Sequence, residues 1–304
     1  MKKLSLILIL VFAAFSFLKA QQTFLYAEKN GQKLYLDVYK SQNTDIKKPL
    51  LIYVFGGGFI MGERYDKAFL PFIKGFNDQG FDLVCIDYRL GLKNQSGKPG
   101  IFSFSPLLKA ISMAVEDLLS ATDFLLKNPK LTGVNAENTV IMGSSAGAIT
   151  VLQADYSICN GLVEKGLIRD DFRYKGVVAF AGAIFSSKGR IRYRNAAPAP
   201  TMMFHGTSDK VVTYKQINLL KWHFTGTKKL TKKFEKHNYP YFTYRYEGLG
   251  HEVNFFVERN LDDVCKFIDE YVIQGKKIKK DMTVKDPSIK VKSVSSTKEL
   301  YKNN

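Results

Sequence analysis

The strongest constraint on the fold is a series of short, continuous apolar runs, each followed by a segment with helical spacing. The runs occupy residues 49–55, 81–88, 138–143, 175–181, 200–206 and 241–248. Strands that are apolar on both faces are typical of parallel sheets that helices cover on both sides. The alternation therefore predicts an α/β domain with a mostly parallel central sheet and helices on both faces.

Apolar residues that recur three or four positions apart predict the connecting helices. These segments lie near residues 64–77, 106–128, 146–158, 213–223, 228–237 and 252–274. Before the first apolar run, two alternating segments flank Asn30-Gly31, which is a strong signal for an antiparallel hairpin. We predict that one domain with this hairpin at its start spans residues 21–275.

The amino terminus has the pattern of a targeting segment. Lys2 and Lys3 precede the apolar run from Leu4 to Phe17, which is shorter than the roughly 20 residues of a membrane-spanning helix. Because Ala20 supplies a small residue for cleavage, we predict a signal peptide over residues 1–20 and a secreted or periplasmic protein. The alternative is an uncleaved membrane anchor. No later apolar run approaches about 18 residues, so we expect no membrane insertion after cleavage.

The chain is basic, with 45 Lys and Arg against 28 Asp and Glu and a formal charge of +17. Residues 276–304 hold nine Lys and three acidic residues, and we predict a weakly ordered, solvated tail there, with a surface-attachment segment as the alternative. A second basic cluster, residues 227–237, has the spacing of an amphipathic helix with a solvated face. Neither cluster has interleaved aromatic residues or a nucleic-acid motif, so we expect no nucleic-acid partner.

Export would permit disulfides, but the chain has an odd number of cysteines. Cys85 stands inside an apolar run, where a buried thiol is expected. A bridge between Cys159 and Cys265 is the remaining alternative.

A G-x-S-x-G motif, Gly143 to Gly147, follows the apolar run that ends at residue 143 and precedes a helical segment. In this strand–turn–helix context the central Ser145 is held on a tight turn, with its hydroxyl at the carboxyl edge of the sheet. The amide of Ala146 begins the helix beside it, where the helix carries partial positive charge. We predict that Ser145 is a nucleophile; its competitor, Ser144, occupies the variable position of the motif.

A serine hydroxyl needs a base to take its proton, and the base needs an acidic partner. Of the four histidines, His251 follows the last predicted strand in a glycine-flanked loop that can cross the sheet edge. Asp209 follows the strand at residues 200–206 at the same edge. We predict His251 as the base and Asp209 as its partner; a role of Asp209 as a helix N-cap is compatible with this. We expect structural or solvent-exposed roles for the other three histidines.

Three glycines, Gly56 to Gly58, follow the first apolar run and would let backbone amides approach a substrate oxygen closely. A plain glycine-rich turn is the alternative. The sequence has no metal-ligand spacing, and the predicted chemistry needs no metal or organic cofactor.

Together, five motifs resemble those of the α/β-hydrolase family, in its carboxylesterase branch, which includes hormone-sensitive-lipase-like and carbohydrate-ester esterases. They are FGGGF (55–59), DYRL (87–90), GSSAG (143–147), HGTSD (205–209) and GLGH (248–251). The resemblance extends over roughly residues 25–275 and implies an α/β-hydrolase fold. It also implies that Ser145, Asp209 and His251 form a catalytic triad, and that Gly57, Gly58 and Ala146 donate the amides of the oxyanion hole.

The chain departs from the family pattern at Phe55, where the family's H-G-G-G motif has a histidine that is thought to brace the glycine loop. No segment has the length of a large lid or of a propeller domain. The resemblance is therefore closer to small-substrate esterases than to interfacial lipases or oligopeptidases. Phe59, Tyr88 and residues 101–105 are candidates either for the substrate pocket or for core packing.

The sequence thus predicts an exported serine hydrolase that cleaves carboxylic esters through an acyl-enzyme on Ser145. The expected partner is a small-molecule or carbohydrate ester, with acetyl or feruloyl esters of polysaccharides as candidates. A serine peptidase on the same scaffold and a catalytically silent binding protein are the alternatives. The oligomeric state does not follow from the sequence.

Overall fold

A twisted central sheet of nine strands organises the molecule in a computed structural model, which describes residues 21–42, 48–93 and 105–289. The strands in chain order are β1 Gln21–Lys29, β2 Gln32–Tyr39, β3 Leu50–Val54, β4 Leu83–Ile86, β5 Thr139–Ser144, β6 Gly176–Phe180, β7 Ala183–Ser186, β8 Thr201–Gly206, β9 Gln216–Leu219, β10 Trp222–Gly226, β11 Tyr241–Tyr246 and β12 Lys279–Val284.

The strand order across the central sheet is β1-β2-β4-β3-β5-β6-β8-β11-β12. The first three strands pair antiparallel, and every later neighbour pair is parallel. The inner strands β3 to β6 and β8 are buried along their whole length. Burial on both faces explains why their sequences are continuous apolar runs rather than alternating ones. The predicted α/β fold with a mostly parallel sheet is confirmed.

The predicted amino-terminal hairpin is also present, with β1 and β2 paired so that Lys29 faces Gln32. The turn residues Asn30 and Gly31 have φ values of 53° and 75°. Asn and Gly tolerate this left-handed backbone, which the two-residue turn requires to match the twist of its strands.

Helices connect the strands and cover the sheet. They are α1 Leu70–Asp78, α2 Ser105–Lys127, α3 Pro129–Thr132, α4 Ala146–Cys159, α5 Thr227–Lys236 and α6 Leu261–Phe267, with short 3-10 turns at Lys67–Phe69, His251–Phe255 and Glu258–Asn260 and a π-helical turn at Ile268–Ile273. Helix α2 packs against α4, whereas α1 packs against α6, so the helices form two layers. Helix α4 is the most deeply buried, because it contacts α2 and the strands β3, β5, β6 and β7.

The predicted helix at residues 213–223 is wrong. This part of the chain holds strands β9 and β10, which form a small antiparallel sheet with β7. Leu220 turns the hairpin with a φ of 52° and is 91% exposed. The helical pattern failed because β7, the partner of β10, lies about 40 residues earlier in the chain and leaves no local signal.

The prediction of a weakly ordered tail beginning at residue 276 is wrong for residues 279–284. These form β12, which pairs in parallel with β11 at the edge of the central sheet. Lys280 lies 4.5 Å above the ring of Phe242, and Arg245 forms an ion pair with Asp281. Exposed lysines are common on edge strands, because they discourage pairing with the strands of other molecules. The same lysines made the composition of this segment resemble that of a solvated tail. The predicted signal peptide and residues 290–304 lie outside the described residues.

The three cysteines are buried and unpaired, so the alternative of a Cys159–Cys265 disulfide is excluded by the structure. Burial raises the pKa of each thiol, which keeps the thiols protonated and unreactive. Within the described residues, no helix combines the length and the apolar character that crossing a membrane requires.

Candidate active site

The turn between β5 and α4 depends on both glycines of the G-x-S-x-G motif. A Cβ on Gly143 would lie 2.5 Å from the carbonyl carbon and oxygen of Gly147. A Cβ on Gly147 would lie only 1.9 Å from the carbonyl oxygen of Val54 at the end of β3. Only glycine fits at either position, because α4 starts in direct contact with the two neighbouring strand ends.

Ser145 stands at the tip of this turn in a strained backbone conformation, with φ 53° and ψ −115°. Such conformations cost about 1–3 kcal/mol in a non-glycine residue and are concentrated at functional sites. The Ser145 Oγ lies 2.7 Å from Nε2 of His251. The neighbouring Ser144 points elsewhere: its Oγ accepts a hydrogen bond from the Tyr53 hydroxyl at 3.2 Å. The turn thus presents one serine to the imidazole and buries the other.

His251 follows β11 in the glycine-flanked loop and begins a 3-10 turn. Its Nδ1 lies 2.8 Å from Oδ2 of Asp209, which follows β8. A carboxylate only accepts hydrogen bonds, so Nδ1 carries a proton and Nε2 is free to accept the hydroxyl proton of Ser145. The structure therefore brings Ser145, His251 and Asp209 into one continuous hydrogen-bonded chain at the carboxyl edge of the sheet.

The Asp209 side chain is fully buried and has a partner for each oxygen. Oδ1 accepts hydrogen bonds from the backbone amides of Val211 and Val212, at 2.8 and 3.0 Å. Oδ2 lies near both His251 and His205. Burial alone would raise the pKa of Asp209, but hydrogen bonds from His205 and His251, together with their charges, lower it well below its usual range. The group is consequently a carboxylate at any pH near neutrality.

His205 was predicted to have only a structural or solvent-exposed role, and it proves to be a direct neighbour of this chain. It is fully buried at the end of β8, with Nε2 at 3.2 Å from Oδ2 of Asp209 and 3.1 Å from the carbonyl oxygen of Val212. Its Nδ1 lies 2.9 Å from Oγ1 of Thr227. His205 therefore fixes the loop that carries Asp209. The only sequence signal for this contact was its position in HGTSD, four residues before the aspartate.

The glycine loop, residues 55–59, follows β3 and passes directly beside Ser145. A Cβ on Gly56 would lie 3.3 Å from the Cβ of Ser145. Gly57 and Gly58 have φ values of 108° and 65°, and a Cβ on Gly57 would lie 1.9 Å from the carbonyl oxygen of Met61. The loop can approach the serine in this way only because it carries no side chains there.

The amides of Gly57, Gly58 and Ala146 donate no hydrogen bond to other parts of the described chain. Ala146 is the first residue of α4, where an orphan amide points out of the helix. Unpaired amides around a nucleophile are the donors that an oxyanion hole needs. All three predicted amides are thus without a partner in the described chain, and the loop that carries Gly57 and Gly58 contacts Ser145 through Gly56.

Phe55 replaces the histidine of the family pattern, and Tyr88 holds the loop in another way. The Tyr88 hydroxyl lies 3.1 Å from the carbonyl oxygen of Phe55 and 3.2 Å from that of Gly56, so its hydrogen is shared between them. The two rings stack with centroids 4.5 Å apart. Burial raises the pKa of Tyr88, so the hydroxyl remains a donor. The Phe55 ring also fills the space beside Gly62, where a Cβ would lie 2.5 Å from the ring.

Tyr88 belongs to the DYRL motif, which anchors this region to the rest of the domain. Asp87 accepts hydrogen bonds from Arg64, at 2.8 Å, and from the amide of Tyr35. Arg89 forms a buried ion pair with Asp117 of α2 at 2.8 Å. Asp87 and Arg89 thus each have a buried or half-buried partner. The DYRL motif therefore has a structural role and is not part of the group of reacting residues.

Other candidates lie apart from the reacting groups. Neither Phe59 nor Tyr88 contacts the triad: both are buried, with 1% and 2% of their surface exposed, and Tyr88 acts through the glycine loop. His223 contacts Gln216 in the small sheet, and His237 stacks on Tyr239 at the end of α5. Residues 101–104 of the aromatic candidate loop lie outside the described part of the chain. Within the described residues, no group of three or more His, Cys, Asp and Glu side chains could hold a metal ion.

Comparison with known proteins agrees with this geometry. The model of the BD-FAE family matches residues 36–184, which include the glycine loop and Ser145. Gut esterase 1 of Caenorhabditis briggsae is 29% identical over 156 residues, and Lipase 1 of Geotrichum candidum is 26% identical over 168 residues. These matches cover 51% and 54% of this chain but only 27% of each relative. The matched part of the chain therefore spans about a quarter of the length of these relatives.

Among solved structures, the fold is shared with esterase 2 of Thermogutta terrifontis in its propionate-bound form. The TM-score is 0.62 at 17% identity, and the match covers 83% of this chain and 94% of that one. The same esterase phosphorylated by paraoxon gives a TM-score of 0.59. The sheet order, the strand–serine–helix turn and these similarities confirm the predicted resemblance. The chain has the α/β-hydrolase fold and is similar to members of the carboxylesterase and hormone-sensitive-lipase-like branch.

Proposed function

We propose that this protein is a serine hydrolase that cleaves carboxylic esters through an acyl-enzyme on Ser145. The observation that carries the proposal is the continuous chain from the Ser145 Oγ to His251 Nε2 and from His251 Nδ1 to Asp209. At donor–acceptor distances of 2.7 and 2.8 Å, these groups can transfer a proton without rearrangement.

In the first step, the Ser145 Oγ attacks the ester carbonyl carbon while its proton passes to Nε2 of His251. The negative charge that develops on the carbonyl oxygen is met by the amides of Gly57, Gly58 and Ala146. His251 then gives the proton to the departing alkoxide, and the alcohol leaves. A water molecule repeats the sequence on the acyl-enzyme and releases the acid, with Asp209 stabilising the imidazolium in both halves.

The names of the relatives support ester cleavage as the reaction class, because they include an esterase and a lipase. The Thermogutta terrifontis esterase has been solved with propionate and with butyrate, both short acids. We extend the proposal to an exported enzyme that acts on acetyl or feruloyl esters of carbohydrates. The targeting pattern of residues 1–20 and the family resemblance support this extension.

The decisive experiment replaces Ser145 with alanine and uses Ser144→Ala as the matched control. Both changes remove one buried hydroxyl from adjacent positions of the same turn. We expect Ser145→Ala to reduce turnover of p-nitrophenyl acetate by about 10⁴-fold or more, as loss of a triad nucleophile does. Ser144→Ala should retain activity within about tenfold, since it loses only the hydrogen bond from Tyr53. Equal rates in the two variants would refute the assignment of Ser145.

A fluorophosphonate probe tests the same assignment without assuming a substrate. It should label the wild type and the Ser144→Ala variant but not the Ser145→Ala variant. Absence of labelling in the folded wild type would favour a catalytically silent binding protein. Hydrolysis of an aminoacyl amide without hydrolysis of simple esters would instead favour a peptidase.

The finer proposals need their own measurements. Rates on acetylated xylan, feruloylated xylan and short and long p-nitrophenyl esters define the acyl and alcohol preference. Amino-terminal sequencing of protein from the culture medium or periplasm tests export, with a mature terminus near Gln21 as the expected result. A full-length protein in the cytosol would contradict export but not ester cleavage.

A further inference from the structure

A cavity lies at the carboxyl end of α4, at the opposite end of this helix from Ser145. Its volume is about 240 Å³, and its lining includes Lys188, Arg190, Arg192 and Arg194, together with Tyr156 of α4 and Asn160 directly after it. A helix of 14 residues is about 21 Å long at roughly 1.5 Å per residue. The cavity is therefore separate from the reacting groups, and its side chains have no part in the proposed ester cleavage.

The arginines are presented by a segment that is fixed in place. Arg190, Arg192 and Arg194 are exposed, whereas Ile191 between them is buried and Tyr193 is partly buried, which is the alternation of an extended chain. At about 3.3 Å per residue, the outer two arginines start about 13 Å apart. All three consequently project from one side of the segment.

Contacts on both sides hold this segment against the domain. The ring of Tyr193 packs edge-on against Tyr156 of α4 and Phe234 of α5, with centroids 5.4 and 5.9 Å away. The amide of Arg194 donates to Oδ1 of Asn160 at 3.0 Å. The cationic side chains therefore extend from a preorganised backbone, which reduces the entropic cost of binding.

The positive charges in and beside the cavity lack acidic partners. Within the described residues, no carboxylate forms an ion pair with Lys188, Arg190, Arg192 or Arg194. Burial and then the charges of Arg192, Lys236 and Arg190 lower the pKa of Lys233 on the adjacent α5. The carboxyl end of α4 contributes only about half a negative charge. An anion would thus relieve repulsion among several neighbouring cations.

We propose that this cavity binds an acidic carbohydrate, through a carboxylate or sulfate group on a sugar. The planar guanidinium group is suited to paired hydrogen bonds with such oxyanions. At about 30 Å³ per water molecule, the cavity has room for about eight waters, so one oxyanion fills only part of it and the sugar ring can occupy the rest.

The lining favours this ligand over a nucleic acid. Single-stranded nucleic acids are bound by exposed aromatic rings on which bases stack, along a groove that follows the backbone. Tyr156, the aromatic residue of the lining, is only 8% exposed, and its ring is covered by Tyr193. The site thus offers charge and hydrogen bonds to an anion without a stacking surface.

The test measures binding by titration calorimetry with polygalacturonate, dextran sulfate, neutral dextran, inorganic sulfate and single-stranded oligothymidylate. The variant is Arg190→Gln/Arg192→Gln/Arg194→Gln. Its control, Lys33→Gln/Lys93→Gln/Lys130→Gln, removes the same charge from exposed lysines elsewhere. We expect the wild type to bind at least one acidic glycan but not dextran. The arginine variant should weaken that binding by at least about tenfold and the lysine variant by less than about twofold.

Turnover of p-nitrophenyl acetate should remain unchanged in both triple variants, which separates this inference from the proposed function and shows that the proteins are folded. If the arginine variant does not fold, Arg192→Gln alone should weaken binding by about threefold or more. Failure to bind either acidic glycan, or equal loss in the two triple variants, would overturn the proposal. Tighter binding of oligothymidylate than of the glycans would identify a nucleic acid as the ligand and overturn the proposal. Binding of inorganic sulfate as tight as that of dextran sulfate would identify a free anion as the ligand and would also overturn it.

Discussion

The replacement of Tyr88 by phenylalanine tests whether one buried hydroxyl holds the glycine loop in its working geometry. The change removes a single oxygen, which lies 3.1 and 3.2 Å from the carbonyl oxygens of Phe55 and Gly56. The ring keeps its stacking on Phe55 and its edge contact with Phe59. Any effect therefore comes from the lost hydrogen bond rather than from a cavity.

The size of the effect on catalysis can be bounded. Complete loss of one oxyanion donor costs about 10²–10³ in kcat. In the variant the amides of Gly57 and Gly58 remain, but the hydrogen bond that holds the preceding carbonyls of the loop is lost. The expected loss in kcat is therefore smaller, about tenfold, which corresponds to about 1.4 kcal/mol in the activation barrier. Because the oxyanion exists only in the transition state, kcat and kcat/KM should fall together while KM changes by less than about twofold.

The stability should fall too, by about 1–2 kcal/mol, since two carbonyl groups lose a buried donor. Steady-state hydrolysis of p-nitrophenyl acetate and thermal unfolding measure the two effects. Tyr174→Phe is the matched control, because its buried hydroxyl contacts Thr122 at 2.9 Å and lies away from the loop. It should lose comparable stability but keep its kcat. A Tyr88→Phe enzyme with wild-type kcat, or an equal kcat loss in Tyr174→Phe, would show that the hydroxyl does not position the loop.

Three further expected outcomes rest on the described contacts. Asp209→Asn should reduce kcat by about 10⁴-fold, because the amide no longer fixes the tautomer of His251. Since the pKa of Asp209 is lowered in the folded state, its stabilising effect is present above its unfolded pKa of about 3.9 and is lost as the pH falls toward the folded value. Urea unfolding should accordingly show a stability difference between wild type and variant that shrinks below about pH 4; a difference independent of pH would contradict this. A chain that ends after residue 276 should have a Tm about 5 °C or more below that of a chain that ends after residue 289. Only the shorter chain lacks β12, so its β11 becomes an open edge strand. Equal Tm values would show that β12 does not contribute to stability.

The elements that the sequence predicted well are those with a local physical cause. The inner strands were recognisable because both of their faces are buried, and the hairpin because Asn30-Gly31 suits its turn. The nucleophile turn was equally clear, since Gly143 and Gly147 are imposed by direct steric contact. The wrong predictions, a helix at 213–223 and a tail over 279–284, concern strands whose pairing partners are distant in the chain or lie at the sheet edge.

The same division applies to the site. The G-x-S-x-G motif and the positions of Asp209 and His251 after predicted strands selected three residues that meet in space, because parallel strands deliver their following loops to one edge. The second imidazole on Asp209 and the hydroxyl that supports the glycine loop could not be predicted in this way. His205 acts on Asp209 and Tyr88 on the carbonyl oxygen of Phe55, and these contacts are visible only in the folded structure.

By itself, then, the amino-acid sequence determined the layered α/β architecture, the family resemblance and the order of the reacting groups, because burial patterns and glycine requirements can be recognised from the residues themselves. The tertiary structure alone decided how Asp209 is shared between two histidines, how the glycine loop is held without the family's histidine, and which basic residues surround a cavity. Those features depend on distances between segments far apart in the chain, and such distances exist only once the chain has packed.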